Sequence, residues 1–216
     1  MRTEIKDFKK VAVEMTRLLN KDVNITLFVQ KYEGDNVLVG CQYFFFCMGV
    51  KTFNRNFAEA EKHGRYKNPF VPIYNEESYV IRSKYQEPSY ETLHNSLDEV
   101  YKQYFTDDGE HELANVERTV IRLQQHLWYD GNKHLDVFKR ADGRLVCVNC
   151  DYTELVASTP YENYNIVAIA DLGKCETQYQ PLCYRVHAEG HKYHGALVLP
   201  TNTNAKEILK AVLGEK

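Results

Sequence analysis

The sequence predicts an α+β protein built from two similar halves, each an amphipathic helix followed by antiparallel strands. Three observations lead to this prediction. Apolar residues near the start recur at helical spacing, later apolar runs are bounded by turn residues, and a segment near residue 34 resembles one near residue 143. The predicted halves are residues 1–87 and 110–216, and residues 88–109 form a connecting helix and loop.

The first predicted element is a helix from about Lys6 to Asn20. Its apolar side chains recur every three or four residues and form one face: Ile5, Phe8, Val11, Ala12, Met15, Leu18 and Leu19. The opposite face carries a stripe of basic side chains: Lys6, Lys10, Arg17 and Lys21. The ordinary interpretation of such a stripe is the charged face of any surface helix, and Glu14 borders it.

The rest of the first half is predicted to be strands. They lie, in chain order, at Ile25–Tyr32, Val37–Met48, Phe70–Tyr74 and Tyr79–Tyr85. The residues Glu33-Gly34-Asp35-Asn36 are typical of a turn between the first two strands. A polar stretch from Lys51 to Asn68 separates the second strand from the third. The aromatic run Tyr43–Phe46 indicates a buried strand, with base stacking as the alternative.

Two helices are predicted next, at Tyr90–Phe105 with Ser89 as the cap, and at Glu112–Trp128. Arg118 and Arg122 lie opposite the apolar face of the second of these helices. Strands and a closing helix complete the chain, at His134–Arg140, Arg144–Asp151, Tyr164–Ala170, Leu182–His187, Tyr193–Leu199 and Asn204–Leu213.

An internal repeat appears when the sequence is shifted by 109 residues. The segment Glu33–Tyr43 then matches Asp142–Tyr152 at a glycine, two valines, a cysteine and a tyrosine. The same shift places the first predicted helix over Asn115–Tyr129. The alternative is chance, because an acidic-Gly turn followed by valines is a common hairpin sequence.

The pattern resembles the DNA sliding clamps. The segments Met1–Leu19, Val37–Phe45 and His191–Pro200 are similar to the opening helix, a strand and the closing strand of a clamp domain. The resemblance implies helices that line a channel and bind the phosphates of double-stranded DNA through Lys6, Lys10, Arg17, Lys21, Arg118 and Arg122. It also implies a replication protein as partner and a homo-oligomer. The helices at Tyr90–Phe105 and after Pro200 depart from the clamp pattern.

Composition sets broad limits on function. A formal charge of −3 excludes a globally basic nucleic-acid binder but allows a local basic surface. The sequence contains no apolar run of membrane-spanning length, and the amphipathic N-terminus differs from a signal peptide. We therefore expect a cytoplasmic protein with reduced cysteines and no membrane partner. The compact, Tyr-rich style is similar to small proteins of phages and mobile elements.

A metal or catalytic site is not predicted. Cys147 and Cys150 form a CxxC, but inside an alternating strand they point to opposite faces, so buried thiols are expected rather than zinc ligands. Three histidines lie near a predicted turn, at His187, His191 and His194, and solvated turn residues are the ordinary interpretation. No nucleophile, phosphate-loop or dinucleotide motif is found, and no cofactor is expected.

These patterns support three hypotheses on function. The first is a non-catalytic, clamp-like module that binds DNA or a replication partner. The second is an enzyme that uses the Cys/His-rich second half, with or without zinc. The third is a plain protein-interaction module.

Overall fold

The computed structural model describes residues 8–21, 24–32, 34–75, 78–82, 87–90, 121–129, 133–139, 145–157, 166–168, 182–185, 195–201, 207–208, 210 and 213. The helices are α1 (Lys9–Lys21), α2 (Val50–Phe53) and α3 (Cys150–Ala157), and a π-helical turn at Asn54–Ala58 continues α2. The strands are β1 (Leu27–Tyr32), β2 (Asn36–Cys41), β3 (Phe44–Gly49), β4 (Lys62–His63), β5 (Tyr66–Lys67), β6 (Tyr79–Ile81), β7 (Ser89–Tyr90), β8 (Ile121–Tyr129), β9 (Lys133–Lys139), β10 (Leu145–Asn149), β11 (Ile166–Ala168), β12 (Leu182–Arg185) and β13 (Gly195–Val198). The predicted α+β class is confirmed.

The largest sheet has eight strands in the order β11-β12-β13-β3-β2-β1-β6-β7. Each neighbouring pair is antiparallel. β13 pairs with β3, with Val198 opposite Phe44, so the sheet contains strands from both sides of residues 88–109. Side chains are buried on both faces of β1 to β3, which explains the nearly continuous apolar sequence of these strands.

α1 packs against one face of this sheet. Its apolar side chains, including Val11, Met15 and Leu19, share a core with Val39 of β2 and Phe46 of β3. Burial of this stripe stabilises a helix of only 13 residues, which would be marginal alone in water. The predicted helix is therefore confirmed from Lys9 onward, and its apolar face is the buried one.

Strands β8, β9 and β10 form a separate three-stranded sheet in the order β10-β9-β8. Phe138 and Val146 on one face belong to the same core as α1. On the other face, Val137 and Cys147 pack with Ile208 in a smaller apolar cluster. Ile208 is helical, as are Glu207, Lys210 and Leu213, in agreement with the predicted closing helix.

Two strand predictions in the first half are wrong. The predicted strand Val37–Met48 is a hairpin of β2 and β3, in which Cys41 pairs with Phe44. The segment Phe70–Tyr74 is not a strand, because side chains satisfy its backbone. Asn54 bonds both the N–H and the carbonyl of Ile73, at 2.9 and 2.8 Å, and the Tyr79 hydroxyl does the same for Val71, at 3.1 and 2.8 Å.

The helix predicted at Glu112–Trp128 is also wrong over its described part, where β8 occupies Ile121–Tyr129. Residues 121, 123, 127 and 129 are apolar and alternate with Arg122, Gln124 and His126, so strand spacing fits this segment as well as helical spacing does. Pairing with β9 decides between the two. Ser89, the predicted cap of the Tyr90–Phe105 helix, lies in β7, and residues 91–105 are outside the described residues.

Candidate nucleic-acid interface

The exposed face of α1 holds the predicted basic stripe. Lys10 and Lys21 are exposed, and neither forms an ion pair within the described part of the chain. They lie on the side of the helix opposite Val11 and Met15, which are buried. Lys6, the first residue of the predicted stripe, lies outside the described residues. These two lysines are therefore available to bind an anion.

Arg17 has a different environment from the two lysines. It is paired with Glu14 on the same helix, and a guanidinium nitrogen lies 3.9 Å from Asp151 of α3. Burial alone lowers the pKa of Arg17, but the hydrogen bond and charge of Glu14, together with Asp151 and Tyr66, raise it overall. Because two carboxylates neutralise its charge, Arg17 ties α1 to α3 and adds little positive potential to the surface.

The second predicted basic stripe is not formed as expected. Arg122 lies on β8, opposite Phe138 of β9, and not on a helix parallel to α1. Arg118 lies outside the described residues. The prediction that Arg122 lines a channel from a helix corresponding to α1 is therefore wrong.

A hairpin made of β4 and β5 supplies further basic side chains, which periodicity in the sequence does not mark. Lys62 is paired directly with Lys67 across the hairpin. Both lysines are exposed, and no described acidic side chain forms an ion pair with either. Arg65, also exposed, lies in the turn after Gly64, whose φ of 59° suits a tight hairpin. Three cations thus project from an element of six residues.

The Arg65 side chain is held in place by its neighbour Tyr66. The guanidinium carbon lies 5.0 Å from the centre of the tyrosine ring, and Nη2 donates a hydrogen bond of 2.9 Å to the hydroxyl oxygen. A cation over an aromatic face gains about 0.5–1 kcal/mol at an exposed site. The charge of Arg65 is therefore oriented but not neutralised.

The hairpin packs beside the basic face of α1. A Cβ atom placed on Gly64 would lie 3.5 Å from Cγ1 of Val13, in ordinary contact. Lys10 and Arg17 are three residues before and four residues after Val13, so they flank the contact on the helix surface. The hairpin cations and Lys10 therefore form one surface, which we call the basic surface: Lys10, Lys62, Arg65 and Lys67.

The base of the hairpin is anchored to the π-helical turn. Asn68 donates from Nδ2 to the carbonyls of Phe57, Ala58 and Ala60, at 2.8, 3.2 and 2.6 Å. The buried His63 side chain donates from Nε2 to the carbonyl of Phe57 at 2.7 Å. Burial lowers the pKa of His63, so its ring is neutral at neutral pH. His63 and Asn68 thus fix the hairpin without adding charge.

The sequence does contain a signal for this hairpin. The stretch Lys51–Asn68 contains five basic and two acidic residues, and Gly64 separates Lys62 from Arg65 and Lys67. A glycine between two short polar segments is typical of a hairpin turn. The signal is weak because the stretch lacks the alternation of apolar residues that marks longer strands.

The CxxC pair differs from its prediction in structure. Cys147 lies on β10, but Cys150 begins α3, so the strand predicted to continue to Asp151 ends at Asn149. Both cysteines are buried, as predicted. Burial, followed by the charges of Asp151, Glu154 and Asp136, raises the pKa of Cys150 to about 11, so its sulfur is a thiol at neutral pH rather than a nucleophilic thiolate.

The histidines at 187, 191 and 194 lie outside the described residues. Within the described ranges, no three His, Cys, Asp or Glu side chains come together as metal ligands. The same residues include no helix long and apolar enough to cross a membrane. No known protein family, curated protein or solved structure matches the chain. The geometry of the basic surface is therefore the basis for a proposal on function.

Proposed function

We propose that the protein binds nucleic acid through its phosphate backbone, without catalysis and without reading sequence, and that the basic surface is the contact. The observation that carries this proposal is the direct pairing of Lys62 with Lys67 across the β4–β5 hairpin. Directly opposed like charges destabilise a hairpin. A bound phosphate would relieve this repulsion.

The chemistry of the surface fits a polyanion better than a single small anion. Lys10 lies on α1, and the two opposed lysines and Arg65 lie on the hairpin, so the positive charge extends across two elements. Lysine and arginine contacts to phosphate supply affinity without sequence information. The net charge of −3 makes this surface an exception on the molecule and directs the ligand to one side.

This proposal keeps the binding of DNA and drops the channel. A clamp-like channel requires basic helices from both halves, and Arg122 is on a strand instead. Ring formation and a replication partner are not needed for a surface of four cations to bind a phosphate backbone.

The test is the double variant Lys62→Gln/Lys67→Gln, measured by titrating a fluorescently labelled DNA with protein at several salt concentrations. We expect weaker binding and a plot of log affinity against log salt whose slope is smaller by about 2, since each lost phosphate contact removes roughly 0.9 of slope. Both lysines are exposed, so the fold should be unaffected.

The matched control is Lys139→Gln/Lys210→Gln, which removes the same charge from exposed positions elsewhere. It should retain wild-type affinity and slope. Arg17 is unsuitable for this test, because its removal leaves Glu14 and Asp151 unpaired. Absence of DNA binding by the wild-type protein at low salt, or equal losses in both double variants, would overturn the proposal.

A further inference from the structure

Tyr43, in the turn between β2 and β3, presents an aromatic ring to solvent. The ring lies parallel to that of Tyr152 on α3, with 5.8 Å between centroids and 12° between planes. Tyr152 in turn packs against the buried Phe44 ring, at 5.0 Å. Because Tyr152 covers one face of the Tyr43 ring, the 41% of Tyr43 that is exposed lies mainly on the other face.

The backbone that carries Tyr43 is fixed from both sides. Its carbonyl accepts a hydrogen bond of 2.8 Å from the N–H of Leu199, just after β13. Its own N–H lies 3.4 Å from Sγ of Cys41. An aromatic ring held in this way loses little conformational freedom when a flat ligand stacks on it, which favours binding.

Arg17 connects this ring to the basic surface. On one side it interacts electrostatically with Tyr66 of the hairpin, and on the other it lies 3.9 Å from Asp151, the residue before Tyr152. Cations therefore occupy one end of a continuous surface and stacked tyrosines occupy the other. Positive charge combined with open aromatic faces is the arrangement that proteins use for single-stranded nucleic acid.

The acidic residues of α3 decide which part of the ligand lies at the tyrosines. Asp151 and the exposed Glu154 are both close to Tyr152 on α3, and Arg17 offsets the charge of Asp151 alone. Phosphates are disfavoured at this end, whereas an uncharged base is not. In a duplex the faces of the bases are stacked on one another, so a single strand is the form that offers a base face to Tyr43.

We infer that Tyr43 stacks on a base of single-stranded nucleic acid whose phosphates lie on Lys62, Arg65 and Lys67. The inference rests on the proposed function and specifies its ligand, since it predicts a preference for single strands over duplex.

The experiment is a titration of labelled oligo(dT), of roughly the 4–16 nucleotides that one such site covers, beside a duplex of equal length. The wild-type protein should bind the single strand more tightly. Tyr43→Ala should weaken single-strand binding by about 5- to 150-fold, the range for loss of one stacked base, and leave duplex binding unchanged. Tyr43→Phe should retain wild-type affinity.

Two further variants separate stacking from folding and from general aromatic effects. Tyr43→Leu retains apolar bulk against Tyr152 but has no aromatic face, so it should lose single-strand affinity while keeping the wild-type melting temperature. Tyr74→Ala changes a tyrosine that is 78% exposed and outside this surface, and should have no effect.

The outcomes distinguish this inference from the proposed function. Duplex binding as tight as single-strand binding, with no loss in Tyr43→Ala or Tyr43→Leu, would overturn the inference and leave the proposed function standing. Failure of the wild-type protein to bind either nucleic acid would overturn both.

Discussion

The hairpin of β1 and β2 and the hairpin of β9 and β10 have related sequences, and comparing them shows where the two halves agree. A shift of 109 residues places Asn36, the first residue of β2, on Leu145, the first residue of β10. Asn36 pairs with Tyr32, but Leu145 pairs with Lys139, so the second hairpin is displaced by two residues. A displacement of two keeps every side chain on its own face of the sheet.

The two hairpins lead into different elements. After Cys41 the chain turns into β3, whereas after Asn149 it enters α3. Asn149 is a favourable helix cap, and its Oδ1 accepts a hydrogen bond of 3.0 Å from the N–H of Asp151. At the position of this asparagine the first half has Gly40, and three phenylalanines stand at 44–46, which favour a strand. A few residues thus direct similar hairpins into different structures.

The ends of these hairpins nevertheless meet. Tyr43 and Tyr152 occupy the same position in the repeat, and their rings stack on each other. The two positions at which the halves diverge are therefore in contact, one on a turn and the other on a helix.

The largest expected effect is that of Gly40→Ala. A Cβ atom at Gly40 would lie 2.2 Å from the carbonyl oxygen of Phe44 and 2.5 Å from Cα of Phe45, so the backbone of β3 must move. We expect the free energy of unfolding in urea to fall by about 3 kcal/mol or more. Gly49→Ala is the control, because its nearest neighbour would be 3.8 Å away. Equal effects of the two substitutions would contradict the requirement for a close backbone approach in this hairpin.

A smaller effect is expected from Thr153→Val in the second half. The buried Thr153 hydroxyl donates a hydrogen bond of 2.6 Å to Oδ2 of the buried Asp136. The equivalent positions of the first half hold Leu27 and Phe44, which are both apolar. Valine matches threonine in shape but leaves a carboxylate oxygen without this donor, so unfolding should cost about 1–3 kcal/mol less. Thr153→Ser, which keeps the hydroxyl, should lose less stability than Thr153→Val, and the reverse order would rule out this explanation.

The smallest effect is expected from Asn149→Ala, which removes the cap of α3. A loss of about 0.5–2 kcal/mol should appear as a lower melting temperature. Asn149→Asp preserves a capping oxygen and should stay close to wild type. If alanine is tolerated as well as aspartate, the cap does not account for the helix after the second hairpin.

Much of the fold could be predicted from periodicity alone. The apolar stripe of α1 and the alternating or continuous apolar runs of β1, β9 and β12 correspond to elements of the structure. The split between β2 and β3 could not be predicted, because Gln42 and Tyr43 are not typical turn residues. The apolar spacing of β8 suits a helix and a strand, and only its pairing with β9 distinguishes them.

The candidate site was less predictable than the fold. The exposure of Lys10 and Lys21 follows from helix geometry. The neutralisation of Arg17 does not, because Asp151 is far along the chain and is brought close by the packing of α3. The burial of Phe44–Phe46 was predicted, whereas the exposure of Tyr43 depends on a turn that the sequence does not mark.

The pairing of β13 with β3 has a consequence for how the protein is made. The paired residues Phe44 and Val198 lie about 150 positions apart, so β3 has no partner on that side until nearly the whole chain has left the ribosome. Until then an apolar strand edge containing three phenylalanines is open to other chains. We therefore expect that folding of the large sheet finishes after synthesis ends, and that chains truncated before Gly195 aggregate.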